Sequence, residues 1–134
     1  MKIGLISCVS SKRKGKHKAK DLYTSAVFKK SVKYAEKYYD DYYILSAKYG
    51  LLNKNDVIED YNLTLIKLYQ KDRLKWALHT ARMINNEFDK GTELYIMAGQ
   101  FYREFLLKYI NYKYTIMMEG LTIGRRMEWL DNNL

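Results

Sequence analysis

Apolar residues in this chain come in two arrangements: short unbroken runs, and longer stretches where they recur every third or fourth position. The runs at 2–8 (with Ile3, Leu5 and Ile6), 42–46, 93–98 and 114–118 have the length and density of buried strands. The periodic stretches predict helices. Over 24–39 the stripe is Phe28, Val32, Ala35 and Tyr39, with Thr24 or Ser25 as the cap. Over 64–88, as one helix or two pieces, the stripe is Leu74, Ala77, Leu78, Ala81, Ile84 and Phe88, and Gly91 suits the left-handed turn beyond it. A third helix is expected over 100–110. A last one begins at the cap Thr122 and carries Ile123, Met127 and Leu130 on its apolar face. Residues 10–20 read as a basic loop, and 53–62 as a polar, acidic surface loop.

Strands and helices therefore alternate, which implies parallel strands joined by right-handed crossovers. The expected fold is a three-layer α/β sandwich, with a four-stranded parallel sheet in the order 2-1-3-4 and helices on both faces. It forms a single α/β domain over 1–134.

Composition narrows the setting. Hydrophobic residues make up 48% of 134 positions, enough for a packed core. No apolar run has the length of a membrane helix, and the opening segment lacks the pattern of a signal peptide. With a single cysteine an internal disulfide is impossible, so a reducing, cytoplasmic setting and no membrane partner are expected. Cys8, His17 and His79 lack metal-site spacing, so no metal and no cofactor are assigned. The net charge of +9, with six cations between Lys12 and Lys20, attracts polyanions. Fourteen tyrosines offer core packing and also faces for stacking on bases.

In an open parallel sheet ligands bind beyond the C-terminal strand ends, where helix N-termini favour anions. Four segments follow the four strands: 7–12, 46–50, 98–103 and 119–126. All are polar and basic, and the last three contain glycine. Ser10, Lys12, Arg13, Lys14, Ser46, Arg125 and Arg126 are the candidates for holding phosphate. Tyr23, Tyr49, Tyr102, Gly99 and Gly120 are the candidates for receiving a base. Cys8, Lys48 and Glu119 are the candidates for chemistry. Cys8 is either a thiolate favoured by Lys12 and a helix N-terminus, or a small buried hydrophobe. Lys48 is a phosphate ligand, base or nucleophile, and Glu119 is one of the carboxylates able to activate water. Arg125 and Arg126 fall in the first turn of a helix, where cations oppose the macrodipole unless an anion or a nearby acid offsets it. No GxxxxGK[ST] phosphate loop, GxGxxG fingerprint or nucleophile elbow occurs.

Five stretches in order carry a resemblance. They are Cys8-Val9-Ser10-Ser11-Lys12, Asp21-Leu22-Tyr23-Thr24-Ser25 with Phe28, Leu45-Ser46-Ala47-Lys48-Tyr49-Gly50-Leu51, residues 58–65, and Gly120-Leu121-Thr122-Ile123-Gly124-Arg125 with Trp129-Leu130. Together they resemble a small uncharacterised domain of bacteria and their phages. That domain is distantly similar to the peroxide-stress protein YaaA and to a domain of archaeosine synthase, which carries a comparable Cys-x-x-x-Lys stretch. The resemblance implies a uracil-DNA glycosylase-like fold with a base- or nucleotide-binding crevice. The water-activating Gly-x-Asp-Pro-Tyr stretch of true uracil-DNA glycosylases is absent, and the chain has no proline. The expected function is a nucleobase-directed enzyme acting on nucleic acid or a nucleotide, by N-glycosidic cleavage or base modification. The alternatives are a non-catalytic nucleic-acid-binding protein and a small-nucleotide-binding protein or sponge. Oligomeric state is left open.

Overall fold

The computed structural model describes residues 1–7 and 11–134. The predicted site residues Cys8 and Ser10 lie outside the described residues. In chain order the elements are β1 (Lys2–Ser7), β2 (Lys16–Lys18), α1 (Ala19–Leu22), α2 (Ala26–Tyr38), β3 (Asp41–Ser46), β4 (Gly50–Asn53) and β5 (Val57–Glu59). A 3-10 turn (Leu65–Lys67) precedes α3 (Gln70–Glu87) and β6 (Glu93–Met97). Then come α4 (Gln100–Arg103), a second 3-10 turn (Leu106–Lys108), β7 (Lys113–Ile116) and α5 (Ile123–Asn133).

The main sheet has five strands in the order β4-β3-β1-β6-β7. Strand β1 pairs in parallel with β3 and β6, β6 pairs in parallel with β7, and β4 runs antiparallel to β3. The expected four-stranded, wholly parallel sheet is corrected on this point. The added strand is the returning arm of a hairpin. Gly50, at φ +77, turns the chain after residues 47–49, and Ser46 then faces Gly50 while Tyr43 faces Asn53. Leu51 and Leu52, which read from sequence as the tail of a strand-end loop, are both buried by that pairing.

Side-chain alternation sends each strand's apolar residues to both faces. Ile3, Leu5, Leu45, Leu94 and Ile96 pack with Trp76, Ala77, Ala81 and Ile84 of α3. Ile6, Tyr42, Ile44 and Met97 pack on the other face with Phe28, Tyr34 and Ala35 of α2 and Leu130 of α5. Helices thus cover both sides of the sheet. Gly4 permits the close seat of α2, because a Cβ there would stand 3.1 Å from the Tyr39 ring. Helices α2 and α5 are held together by the Tyr34–Trp129 ring contact at 5.1 Å and by a Lys30–Asp131 ion pair.

Three further expectations are corrected. The helix over 64–88 is a 3-10 turn followed by α3, and its buried side includes Trp76 and Thr80 while Leu78 is 42% exposed. The helix over 100–110 is two short turns. The loops 10–20 and 53–62 contain the antiparallel ribbon β2–β5, pairing Lys16 with Glu59 and Lys18 with Val57. Among the described residues no helix is long and apolar enough to cross a membrane.

The tyrosine-rich face has a consequence at high pH. Burial raises the hydroxyl pKa of Tyr42 from 10.0 to about 12, with Glu36, Asp41 and Asp21 adding to the shift. Burial likewise raises Tyr39 and Tyr34. The folded state thus holds these protons more tightly than the unfolded chain does. The stabilisation is complete below pH 10 and is lost as pH rises towards about 12. Thermal melts across this range should show a falling midpoint, with tyrosinate absorbance appearing at unfolding. A flat midpoint would contradict the assignment.

Candidate functional site

Strands β1 and β6 are neighbours, and the chain leaves β1 towards β3 but leaves β6 towards β7, so the two connections run in opposite directions across the sheet. At such a switch point the loops diverge and leave a crevice beyond the C-terminal strand ends. Here that crevice measures 430 Å³. Its walls are the start of α2 (Ser25, Ala26, Val27), the turn after β6 (Gly99 to Tyr102), the start of α5 (Leu121 to Ile123, with Arg126 and Met127) and Ile66. The volume falls within the range of small-ligand sites.

Both helices open onto it through capped N-termini. Ser25 Oγ accepts from the Phe28 amide at 3.2 Å, and Thr122 Oγ1 accepts from the Arg125 amide at 3.3 Å. The partial positive charge of two helix starts therefore falls on one cavity. Arg126 adds a full charge. Its side chain is partly buried, and its Nε donates to the Leu121 carbonyl at 3.1 Å. Burial lowers the guanidinium pKa from its usual value, and the nearby Arg103 lowers it further. An anion lying against Arg126 would favour its charged form and offset both effects.

The remaining wall is firm and apolar. Phe101 is 37% exposed, and the Arg73 guanidinium lies 5.0 Å from its ring centre. Arg73 is itself fixed by Glu104 at 2.6 Å and by the Leu68 carbonyl at 2.6 Å. Tyr102 is buried edge-on against Trp76. The Gly99 amide donates to Ser7 Oγ at 3.3 Å, tying the end of β1 to the crevice floor.

A second polar group lies at the end of β3. Buried Ser46 Oγ donates to the Tyr61 hydroxyl at 2.9 Å and accepts from the amides of Lys48 and Tyr49. The Tyr61 and Tyr23 hydroxyls are 2.8 Å apart, and Lys12 Nζ lies 4.5 Å from the centre of the Tyr61 ring. The Trp76 indole donates to the Ser46 carbonyl at 2.9 Å, joining this group to α3. Ser46→Ala removes the hydroxyl that serves both the turn amides and Tyr61. The expected cost is about 1–3 kcal/mol, read from denaturant unfolding. A change within a few tenths would show that the network has no structural weight.

The sequence-predicted residues divide into three sets. Gly99, Tyr102 and Arg126 line the crevice. Lys12, Tyr23 and Ser46 form the tyrosine–serine group. The other described candidates lie outside the crevice, although the Lys48 and Tyr49 amides donate to Ser46 Oγ and the Tyr49 ring stands edge-on to Tyr61 at 5.6 Å. Lys48 is exposed on the hairpin turn, 5.2 Å from the ring of Tyr49, and the Tyr49 hydroxyl donates to the Glu59 carbonyl. Arg13 is exposed and its Nε donates to the Asp21 carbonyl, while the Lys14 carbonyl accepts from His17. Glu119 and Gly120 (φ +79) are exposed in the turn after β7. Arg125 lines a separate recess with Glu128, Trp129 and Asn132. Tyr61, Phe101 and Ile66 were not among the residue candidates. Phe101 stood inside the strand-end segment 98–103 and Tyr61 inside the stretch 58–65 that carries part of the resemblance, whereas Ile66 gave no local signal.

A recess of 340 Å³ at the opposite end of the strands is bordered by Asp41, Glu87 and Asp89, with Lys90 beside them. Its acidic border disfavours anions, so the two ends of the sheet differ in the ligand they suit.

Fold and crevice together define an α/β protein with a largely apolar cavity at the strand ends and a partly buried arginine, Arg126, in its wall. The chain belongs to a family of unknown function, DUF6884, which it matches over residues 3–132. No curated protein matches the sequence.

Proposed function

We propose that this protein binds a nucleotide, free or within a nucleic acid, in the strand-end crevice and acts there on the base. The observation that carries the reading is Arg126, a partly buried cation at the mouth of two helix N-termini, in a wall whose apolar part includes Phe101, Val27, Ile123 and Met127. A planar base suits the apolar wall, and a phosphate suits the Arg126 guanidinium and the two helix N-termini. The resemblance to the YaaA and archaeosine synthase relatives, and through them to the uracil-DNA glycosylase-like fold, supports a base-directed reaction. N-glycosidic cleavage by water would release the base and leave a hydroxyl on the sugar. Base modification is the other route. A cytoplasmic setting suits either.

Incubation with DNA, RNA and nucleotides, modified and unmodified, followed by mass spectrometry, tests the enzyme reading. A released base or an altered nucleoside is expected. Unchanged substrates, with a nucleotide still raising the melting temperature, would establish the binding protein instead. One observation favours that second reading: Lys48 and Glu119 are solvated, without the burial that tunes catalytic groups.

A further inference from the structure

Residues 11–24 form an excursion closed at its base. The Arg13 amide donates to the Leu22 carbonyl, the Thr24 amide donates to the Ser11 carbonyl, and Lys12 bridges Tyr23. Its far part, β2 and α1, lies along 54–60 through β2–β5 pairing and through the Ala19 and Lys20 amides, which donate to the Asp56 and Lys54 carbonyls. This basic finger returns to the body at Thr24, the residue before Ser25 of the crevice wall.

The finger carries an excess of cations over Asp21 within it and Asp56, Glu59 and Asp60 beneath it. Arg13, Lys14, Lys16, Lys18 and Lys20 are exposed. The acids beneath them are held within the fold and offset part of this charge. Asp60 accepts from the Gly15 amide, Asp56 accepts from the Asn53 amide, and Glu59 lies 3.8 Å from Lys16. Among the described residues, no ion pair joins Lys14, Lys18 or Lys20 to an acid. Lys16 and Lys18 point to the same side of β2, roughly 6.6 Å apart along the strand. That separation is close to the step between phosphates of an extended single strand.

We propose that the finger tracks the backbone of single-stranded nucleic acid and delivers one of its bases to the crevice. This inference rests on the crevice being a nucleotide site and names its substrate class as a polynucleotide. A base in a duplex is stacked and paired, and would have to be flipped out to enter. An unpaired strand presents its bases directly, while its phosphates engage the lysines.

The test compares a nucleoside monophosphate with single-stranded homopolymers of increasing length and with a duplex of the same length. Affinity should rise with length from the mononucleotide to an oligomer that covers the finger. With about four phosphates neutralised, oligomer affinity should fall about fiftyfold between about 50 and about 200 mM salt. The triple variant Lys16→Ala, Lys18→Ala, Lys20→Ala should lose most of that salt dependence yet keep its response to the mononucleotide. The matching triple Lys→Arg variant preserves charge and should behave as wild type, which separates charge from folding defects. Oligomers no tighter than the mononucleotide, or duplex bound as tightly as single strand, would overturn the inference while the crevice reading stands. Oligomer binding that is indifferent to Arg126→Ala, together with no response to a mononucleotide, would overturn the crevice reading and this inference with it.

Discussion

Arg126→Ala is expected to weaken nucleotide binding about ten- to a hundredfold, corresponding to the roughly 1.5–3 kcal/mol of a charge-assisted contact. The same change should cost the fold little. It removes the bond from Nε to the Leu121 carbonyl, but it also removes a buried charge and its repulsion with Arg103. The expected signature is therefore a large loss of affinity, by calorimetry, beside an almost unchanged melting temperature. Arg125→Ala is the matching comparison. Its side chain lines the neighbouring recess, so the crevice should keep its affinity. Equal losses from both arginines would point to general electrostatic attraction rather than to a site.

Gly99→Phe is expected to abolish binding, with a loss of a hundredfold or more, about 2.7 kcal/mol or beyond. A Cβ on Gly99 would meet nothing within 4 Å, so the backbone accepts a side chain there without collision. Gly99 also lines the crevice, and an added phenyl ring would take up room that a base needs. Its amide bond to Ser7 Oγ does not depend on the side chain. The variant should therefore melt near the wild-type temperature while binding no nucleotide. Retained binding would mean that the ligand sits elsewhere.

The fold was legible wherever burial leaves a pattern in the chain. The apolar runs of β1, β3 and β6 mark strands with both faces covered, whereas β7 is an edge strand with Lys113, Tyr114 and Thr115 exposed. Thr122 was recognisable as a cap because a hydroxyl just before an apolar-periodic stretch serves orphaned amides. The short strands were not legible. Strand β4 has four residues and continues a strand-end loop in sequence, so nothing local separates it from that loop. Strands β2 and β5 have three residues each, and their pairing depends on contacts some forty positions apart. Leu78 entered the predicted stripe because spacing alone cannot tell a core face from its border. Trp76, one step from that stripe, is buried with its indole bonded to Ser46.

The site was legible as a set of segments and less so as residues. Topology placed the strand ends, and glycines and cations marked them. The exit from β6 and the start of α5 do form the crevice, whereas the hairpin turn carrying Lys48 leads to the Ser46–Tyr61–Tyr23 group. A pair of adjacent arginines cannot reveal from sequence which one faces inward. The helical rotation of about 100° between them decides it, turning Arg126 to the crevice and Arg125 to the recess. Tyr61 was hidden in an acidic segment, because its partners Ser46 and Tyr23 are distant in the chain.

The most direct test of the crevice as a nucleotide site is amide chemical-shift mapping during titration with a nucleoside monophosphate. The largest changes should fall on 25–27, 99–102 and 121–127, the three segments that wall the cavity. Changes centred on the Lys48 turn or on the acidic recess at 87–92, or none at saturating ligand, would contradict it.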